Sequence, residues 1–346
     1  MATVFRLLRY VLGSVVVLLV VASGILIYAF TDLGRPANAA NNTPQLFTIA
    51  PGETGLSIAN RLEAAHLISS ATMFRVDLKL KNAEERIKAG DFELAPNMSP
   101  LQIIEAITTT PTATMVQVLI PEGWRIGQVA DRLAELDLVD KDRFTQLTQD
   151  GKFAYDFLPD RQAGGDLEGF LFPDTYSFPR LGSDREQRVL DTMLSNFGQR
   201  VTPQMRKDAA ARPYSLYQVI TLASIVEREA QLPEERPIIA GVFYNRLEKG
   251  MKLDADPTTQ FALGHEGDWW PYLRLDPNTV DRPYNTYVHT GLPPGPICSP
   301  GLASIEAAIH PAQHDYLYFV ACGKGGHAFA ATLEEHERNR VRCGNR

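Results

Sequence analysis

Cysteine is scarce in this chain: Cys298, Cys322 and Cys343 are the three in 346 residues. An odd number excludes a complete disulfide framework and leaves room for one bridge in an oxidising compartment. Cys322 with Cys343 is the pair to test. No C-x-x-C spacing and no H-E-x-x-H occur. His310 and His314 are four apart, but Pro311 between them interrupts any continuous ligand-bearing helix. Neither a metal nor another cofactor is therefore expected. Lys/Arg-rich runs are also missing and the net charge is -7, so nucleic acid is not an expected partner.

What the chain does have is one long apolar run. Tyr10 to Phe30 carries no charged residue, is rich in Val and Leu, and is long enough to cross a bilayer. Arg6 and Arg9 precede it and Asp32 closes it. Basic residues collect on the cytoplasmic side of a span, which puts residues 1–9 in the cytoplasm, a transmembrane helix at 10–30 and the rest outside. The competing reading is a cleaved signal peptide, because Ala37-Asn38-Ala39 resembles a small-residue cleavage site. The run exceeds an ordinary signal core and that site lies well beyond its end, which favours a retained anchor. Residues 31–44 then form a linker, with Ala, Asn and Pro dominating from Gly34 to Pro44.

Beyond the linker a short pattern repeats. Ile49-Ala50-Pro51-Gly52-Glu53-Thr54 leads into Leu56 to Leu62, and Val118-Leu119-Ile120-Pro121-Glu122-Gly123 leads into Ile126 to Leu133. Each reads as a strand, a Pro/Gly turn and an amphipathic helix. Lys88 to Pro96 reads as a strand and turn. Ser99 and Pro100 supply the N-cap and first position of a helix beginning at Leu101. Strand–helix–helix–strand makes a small α+β module over residues 45–160, similar to glycan-binding LysM modules, although such packing also occurs without a ligand. Residues 161–346 form a mixed α/β domain, so the overall class is α+β. Its expected helices are Asp184 to Gln199, Leu216 to Ala230, one from Pro237 to just before Gly250, Leu302 to Ile309 and Leu333 to Arg342. Tyr316 to Ala321 reads as a buried strand paired with one beginning at Ala328-Phe329.

The helix from Leu216 ends Ile225-Val226-Glu227-Arg228-Glu229. At helical spacing Leu216, Val219, Ile220, Ala223, Val226 and Ala230 form an apolar stripe flanked by Leu222 and Ile225. Glu227 falls within the stripe and Glu229 beside the flank. A carboxyl in apolar surroundings, near the negative end of a helix, holds its proton to higher pH, as a general acid requires. The plainer alternative is a fraying, exposed last turn. Residues two apart face nearly opposite ways, so only one of the two can easily be the acid, and the stripe favours neither.

Further blocks follow in order: Glu168-Gly169-Phe170-Leu171-Phe172-Pro173-Asp174-Thr175-Tyr176, Leu222 to Glu229, Val242-Phe243-Tyr244-Asn245-Arg246-Leu247, Gly250-Met251-Lys252-Leu253, Asp256-Pro257-Thr258, Tyr284-Asn285-Thr286-Tyr287, Gly291 to Ile297 and Tyr316 to Val320. Together they resemble the YceG-like (MltG) family of endolytic murein transglycosylases. The resemblance implies cleavage of peptidoglycan strands between N-acetylmuramic acid and N-acetylglucosamine with 1,6-anhydro product. It implies Glu229 as the acid, with Glu227 in reserve. By chemistry and family position, Asp174, Asn245, Asp256, Tyr284, Asn285 and Tyr287 are candidates to bind sugar. It further implies a catalytic domain in the periplasm, anchored in the inner membrane, and cell-wall synthases (penicillin-binding proteins) as partners. A non-catalytic, membrane-anchored peptidoglycan-binding scaffold is the alternative, and an ordinary hydrolase is a third reading.

Overall fold

The computed structural model describes residue 20 and residues 34–109, 111, 114–158, 165–180, 184–323 and 325–344. The apolar run at 10–30 lies outside these residues apart from Val20. Among the described residues no helix is long and apolar enough to cross a membrane. The chain divides into two compact units. The first comprises Met1–Met115 with Pro179–Ser183 and the second Val116–Phe178 with Asp184–Arg346, so the first boundary falls within the span 45–160 that the sequence groups as one module.

In the first unit β1 (Gln45–Ile49) pairs antiparallel with β2 (Gly90–Leu94), with Gln45 opposite Leu94 and Ile49 opposite Gly90. Between them run α1 (Gly55–Ala64) and α2 (Ala71–Leu80), and α3 (Pro100–Thr108) follows. The caps explain the boundaries. Thr54 and Ser70 each accept a hydrogen bond from the backbone N–H three residues on. Ser99 and Gln102 form a reciprocal capping box ahead of Pro100. Phe47, Ile58, Leu62, Phe74, Phe92 and Ile103 fill the core. The helix at 71–80 carries Phe74 and Leu78 inward and is absent from the sequence reading.

The second unit opens with the same order. β3 (Met115–Leu119) pairs with β4 (Thr175–Pro179), and α4 (Ile126–Glu135) and α5 (Lys141–Asp150) lie between them in sequence. The aromatic block at 166–176 runs into β4, where Tyr176 and Phe178 alternate inward. Helices α6 (Arg185–Arg200), α7 (Pro203–Ala210), α8 (Leu216–Glu229), α9 (Arg236–Glu248), α10 (Asp256–Leu263) and α11 (Leu302–Ile309) follow. The antiparallel hairpin β5 (Tyr318–Ala321) and β6 (His327–Ala330) and then α12 (Leu333–Arg342) complete it. β5 is half-buried, less enclosed than its apolar sequence suggests.

Helix α8 is the axis of this unit. Its residues from Leu216 to Val226 are buried except Gln218, and α9, α10 and α11 pack on it. Ser215 and Gln218 close its first turn with a capping box. Its apolar stripe and flank both sink into the core, and at its C-terminal end the last turn, Glu227 to Glu229, comes out of it. A disulfide between Cys322 and Cys343, with Cα atoms 4.7 Å apart, joins the end of the β5 strand to the end of α12. Cys298 is a buried free thiol.

Candidate active site

The two acids of the last turn face opposite ways. Glu227 turns inward to the start of α11. Its Oε2 accepts from the Gly301 backbone N–H at 3.0 Å and the Ser304 hydroxyl at 2.7 Å, and Arg236 stands 3.8 Å from Oε1. The carboxylate therefore completes a helix N-terminus, where orphan amides and the dipole favour negative charge. At Gly301 the backbone lies so close to the Glu122 carboxylate that a Cβ there would require that side chain to move. Glu122 itself is pushed up from its ordinary value, by burial first and by the Glu227 charge second.

Glu229 turns the other way, into a cleft of about 470 Å³ that it shares with Asp254, Asp256, Tyr287, His327 and His336. Among the described residues no donor bonds its carboxyl. Burial, then the charge of Asp256, pushes its pKa from 4.5 up to about 8, with Arg228 pulling weakly the other way. Helix α10 begins at Asp256, so this residue opens the helix rather than capping it. Its Oδ1 accepts from the Tyr287 hydroxyl at 2.7 Å. Burial and the Asp256 bond together hold the Tyr287 phenol well above the usual tyrosine range.

Arg246 fixes this geometry, and the sequence reading assigns it no role. Its Nη1 donates to the Lys252 and Leu253 carbonyls at 3.0 Å and to Asp254 at 2.8 Å, and its Nε donates to the Leu317 carbonyl at 2.6 Å. One buried guanidinium thus ties the end of α9 to the loop before Asp256 and to the approach of β5. His336, on α12, stacks on Tyr318 with ring centroids 5.3 Å apart. Its Nδ1 is buried without a partner, and burial lowers its pKa.

Only two of the sugar-binding candidates join the acid in the cleft, Asp256 and Tyr287. Asn245 spends its amide on the His314 and Tyr316 carbonyls, at 2.7 and 3.0 Å. Asn285 is fully buried. It donates to the Pro277 and Val280 carbonyls and accepts from Thr259 and the Tyr287 backbone N–H. Both asparagines hold loops. Tyr284 packs 4.6 Å from Phe261, and Asp174 is bound by Arg200 at 2.7 Å and Asn196 at 3.1 Å; neither borders the cleft.

A third acid shows why a raised pKa alone does not mark the site. Glu168 is 5% exposed and its pKa also rises to about 8, through burial and then the Asp166 charge. Both of its oxygens face the Ile126 backbone N–H, at 3.2 and 3.1 Å, at the start of α4. It is sealed against a helix end and does not border the cleft of Glu229. Its sequence setting, an acid beside Gly169-Phe170-Leu171-Phe172, carries the signal of burial. Among the described residues no group of three His, Cys, Asp or Glu could hold a metal ion.

Among the described residues lining this cleft, Glu229 is the one carboxyl without a hydrogen-bond partner, and tyrosine, aspartate and histidine wall it. The chain belongs to the YceG-like family, whose model matches residues 47–342. It is 33% identical over 320 residues to the endolytic murein transglycosylase of Bacillus subtilis, covering 89% of this chain and 87% of that one. It is 32% identical to the protein of the same name from Streptococcus pneumoniae, covering 84% of this chain and 57% of that longer one. A crystal structure of a yceG-like protein from Listeria monocytogenes superposes with a TM-score of 0.57 at 33% identity, over 85% of this chain and 98% of that one.

Proposed function

We infer that this protein is an endolytic lytic transglycosylase. It cuts peptidoglycan strands between N-acetylmuramic acid and N-acetylglucosamine and leaves a 1,6-anhydro end. Family membership and the names of the relatives support the reaction class, and the observation that carries the mechanism is the unbonded, proton-holding Glu229 in its cleft.

Ordinary glycosidases divide the work between two carboxylates. Here one suffices. Protonated Glu229 gives its proton to the glycosidic oxygen as the bond from C1 to that oxygen breaks. The substrate's N-acetyl group supports the positive charge that develops at C1. Glu229, now ionised, takes the proton of the muramic acid 6-hydroxyl as O6 bonds to C1. Glu229 ends as it began, and no water is consumed. Asp256, with Tyr287 holding one of its oxygens, adds negative charge beside the reacting centre and keeps the Glu229 proton in place. We assign sugar contacts to Asp256 and Tyr287, and a loop-holding role to Asn245 and Asn285.

The apolar run at 10–30 supports a single-pass anchor in the inner membrane, with the N-terminus cytoplasmic and the catalytic unit periplasmic. That placement sets the enzyme on nascent strands, beside the synthases that extend them, where cutting ends elongation. The strand–helix–helix–strand order of the first unit supports a LysM-like role in gripping glycan.

Mass spectrometry of purified glycan strands after incubation with the protein tests the reaction. Anhydro ends are expected. Reducing ends, heavier by one water, would make the protein a hydrolase, and uncut strands would leave a binding scaffold.

A further inference from the structure

We propose that His327, clamped by Glu235, is a substrate-binding residue of the cleavage cleft, presenting Nε2 to a sugar hydroxyl of the glycan strand. The proposal rests on the transglycosylase reading and adds to it a residue pair that lies 92 positions apart in sequence.

Glu235 closes a short 3-10 turn, Pro233–Glu235, ahead of α9. His327 is the first residue of β6 and pairs with Ala321 across the hairpin. One Glu235 oxygen accepts from the His327 backbone N–H at 2.8 Å, and the other faces Nδ1 at 2.7 Å. Both side chains are nearly enclosed, at 7% and 10% exposure. A carboxylate placed there requires a hydrogen on Nδ1 and so fixes the tautomer. Phe319 meets the imidazole edge-on at 5.3 Å and restricts its rotation.

The ring then has one polar atom left, Nε2, and among the described residues it has no protein partner. His327 borders the same cleft as Glu229. In the neutral ring Nε2 is an acceptor, and hydroxyls are the abundant donors of a glycan. A purely structural pair, tying the hairpin to the turn before α9, needs Nδ1 alone. It gives no use for the second nitrogen.

That difference separates the two roles experimentally. Asparagine ends where Nδ1 lies and keeps the Glu235 contact; glutamine reaches toward the Nε2 position. Initial rates of anhydro-end formation are measured on purified strands with the full-length protein. His327→Asn is expected to keep the wild-type Tm yet lose about tenfold in kcat/KM, mainly through KM, as removal of one uncharged hydrogen bond would do. His327→Gln is expected to retain the larger share of activity. The reverse order, equal impairment, or wild-type kcat/KM in His327→Asn would overturn the proposal.

A binding measurement guards against folding defects. In a Glu229→Gln background the strands stay uncut, and adding His327→Asn must weaken their Kd about tenfold. An unchanged Kd overturns the assignment. If the wild-type protein forms no anhydro ends, the transglycosylase reading fails. If it does, and His327→Asn is unaffected, only the His327 assignment fails.

Discussion

The two sides of the last turn of α8 carry the same functional group in opposite circumstances. Toward α11, Glu227 is surrounded by donors: a backbone amide, a hydroxyl and a guanidinium. Toward the cleft, no donor among the described residues hydrogen-bonds Glu229, and Asp256 adds charge of its own sign. A helix advances about 100° per residue, so two residues suffice to move a carboxyl from one side to the other. On the proposed reading, reactivity follows from which donors each side lacks. Glu168 sharpens the point: its proton is held as tightly as that of Glu229, but it is sealed, so substrate access and a raised pKa must coincide.

Glu229→Gln gives the largest expected effect. The amide copies the shape of the protonated acid but cannot release a proton, so anhydro-end formation should fall about 1000-fold while Tm holds. Glu227→Gln should act on the other quantity. Replacing a buried, charge-assisted acceptor costs about 2 kcal/mol, read as a lower urea midpoint at unchanged slope, with turnover of the folded protein retained. A Glu227→Gln protein that is stable but inactive, beside an active Glu229→Gln, would exchange the two roles.

Much of this side-to-side contrast is open to reading in sequence, and part is not. The stripe from Leu216 to Val226 predicts a buried helix, and the chain builds one. Ser99-Pro100, Leu302 to Ile309 and Leu333 to Arg342 likewise fall where local caps and periodicity put them. Spacing could not choose between Glu227 and Glu229, because the choice depends on Gly301, Ser304 and Asp256, which arrive from distant segments. Asn285 reads as a sugar ligand by its polarity. Its four partners lie on turns whose meeting no local pattern announces. Arg246 and the Glu235–His327 pair escape for the same reason: their partners are carbonyls or side chains brought together only by tertiary packing.

Titration separates the cleft acid from an ordinary surface carboxyl. The acid must begin protonated, and Glu229 is protonated below about 8. The rate should hold below that pH and fall about tenfold per unit above it. Stability moves in the same direction for a related reason. Between 4.5 and about 8 the folded chain keeps protons on Glu229 and Glu168 that the unfolded chain releases. Raising the pH through that window therefore destabilises the fold. Glu168→Gln should remove its share of the decline in Tm and leave the fall in rate untouched.

The smallest expected effect tests what the cleft adds beyond burial. Tyr287→Phe removes the hydroxyl that shares the Asp256 charge at 2.7 Å. With that charge less screened, Glu229 should hold its proton slightly more firmly. The alkaline limb of the rate profile should then move up by roughly a few tenths of a pH unit, with a few-fold loss in kcat/KM from the missing sugar contact. A limb that moves down would mean that the phenol, rather than Asp256, governs the acid. A limb that stays put would mean that the Asp256 charge does not reach Glu229 and that enclosure alone keeps the proton on the cleft side of the turn.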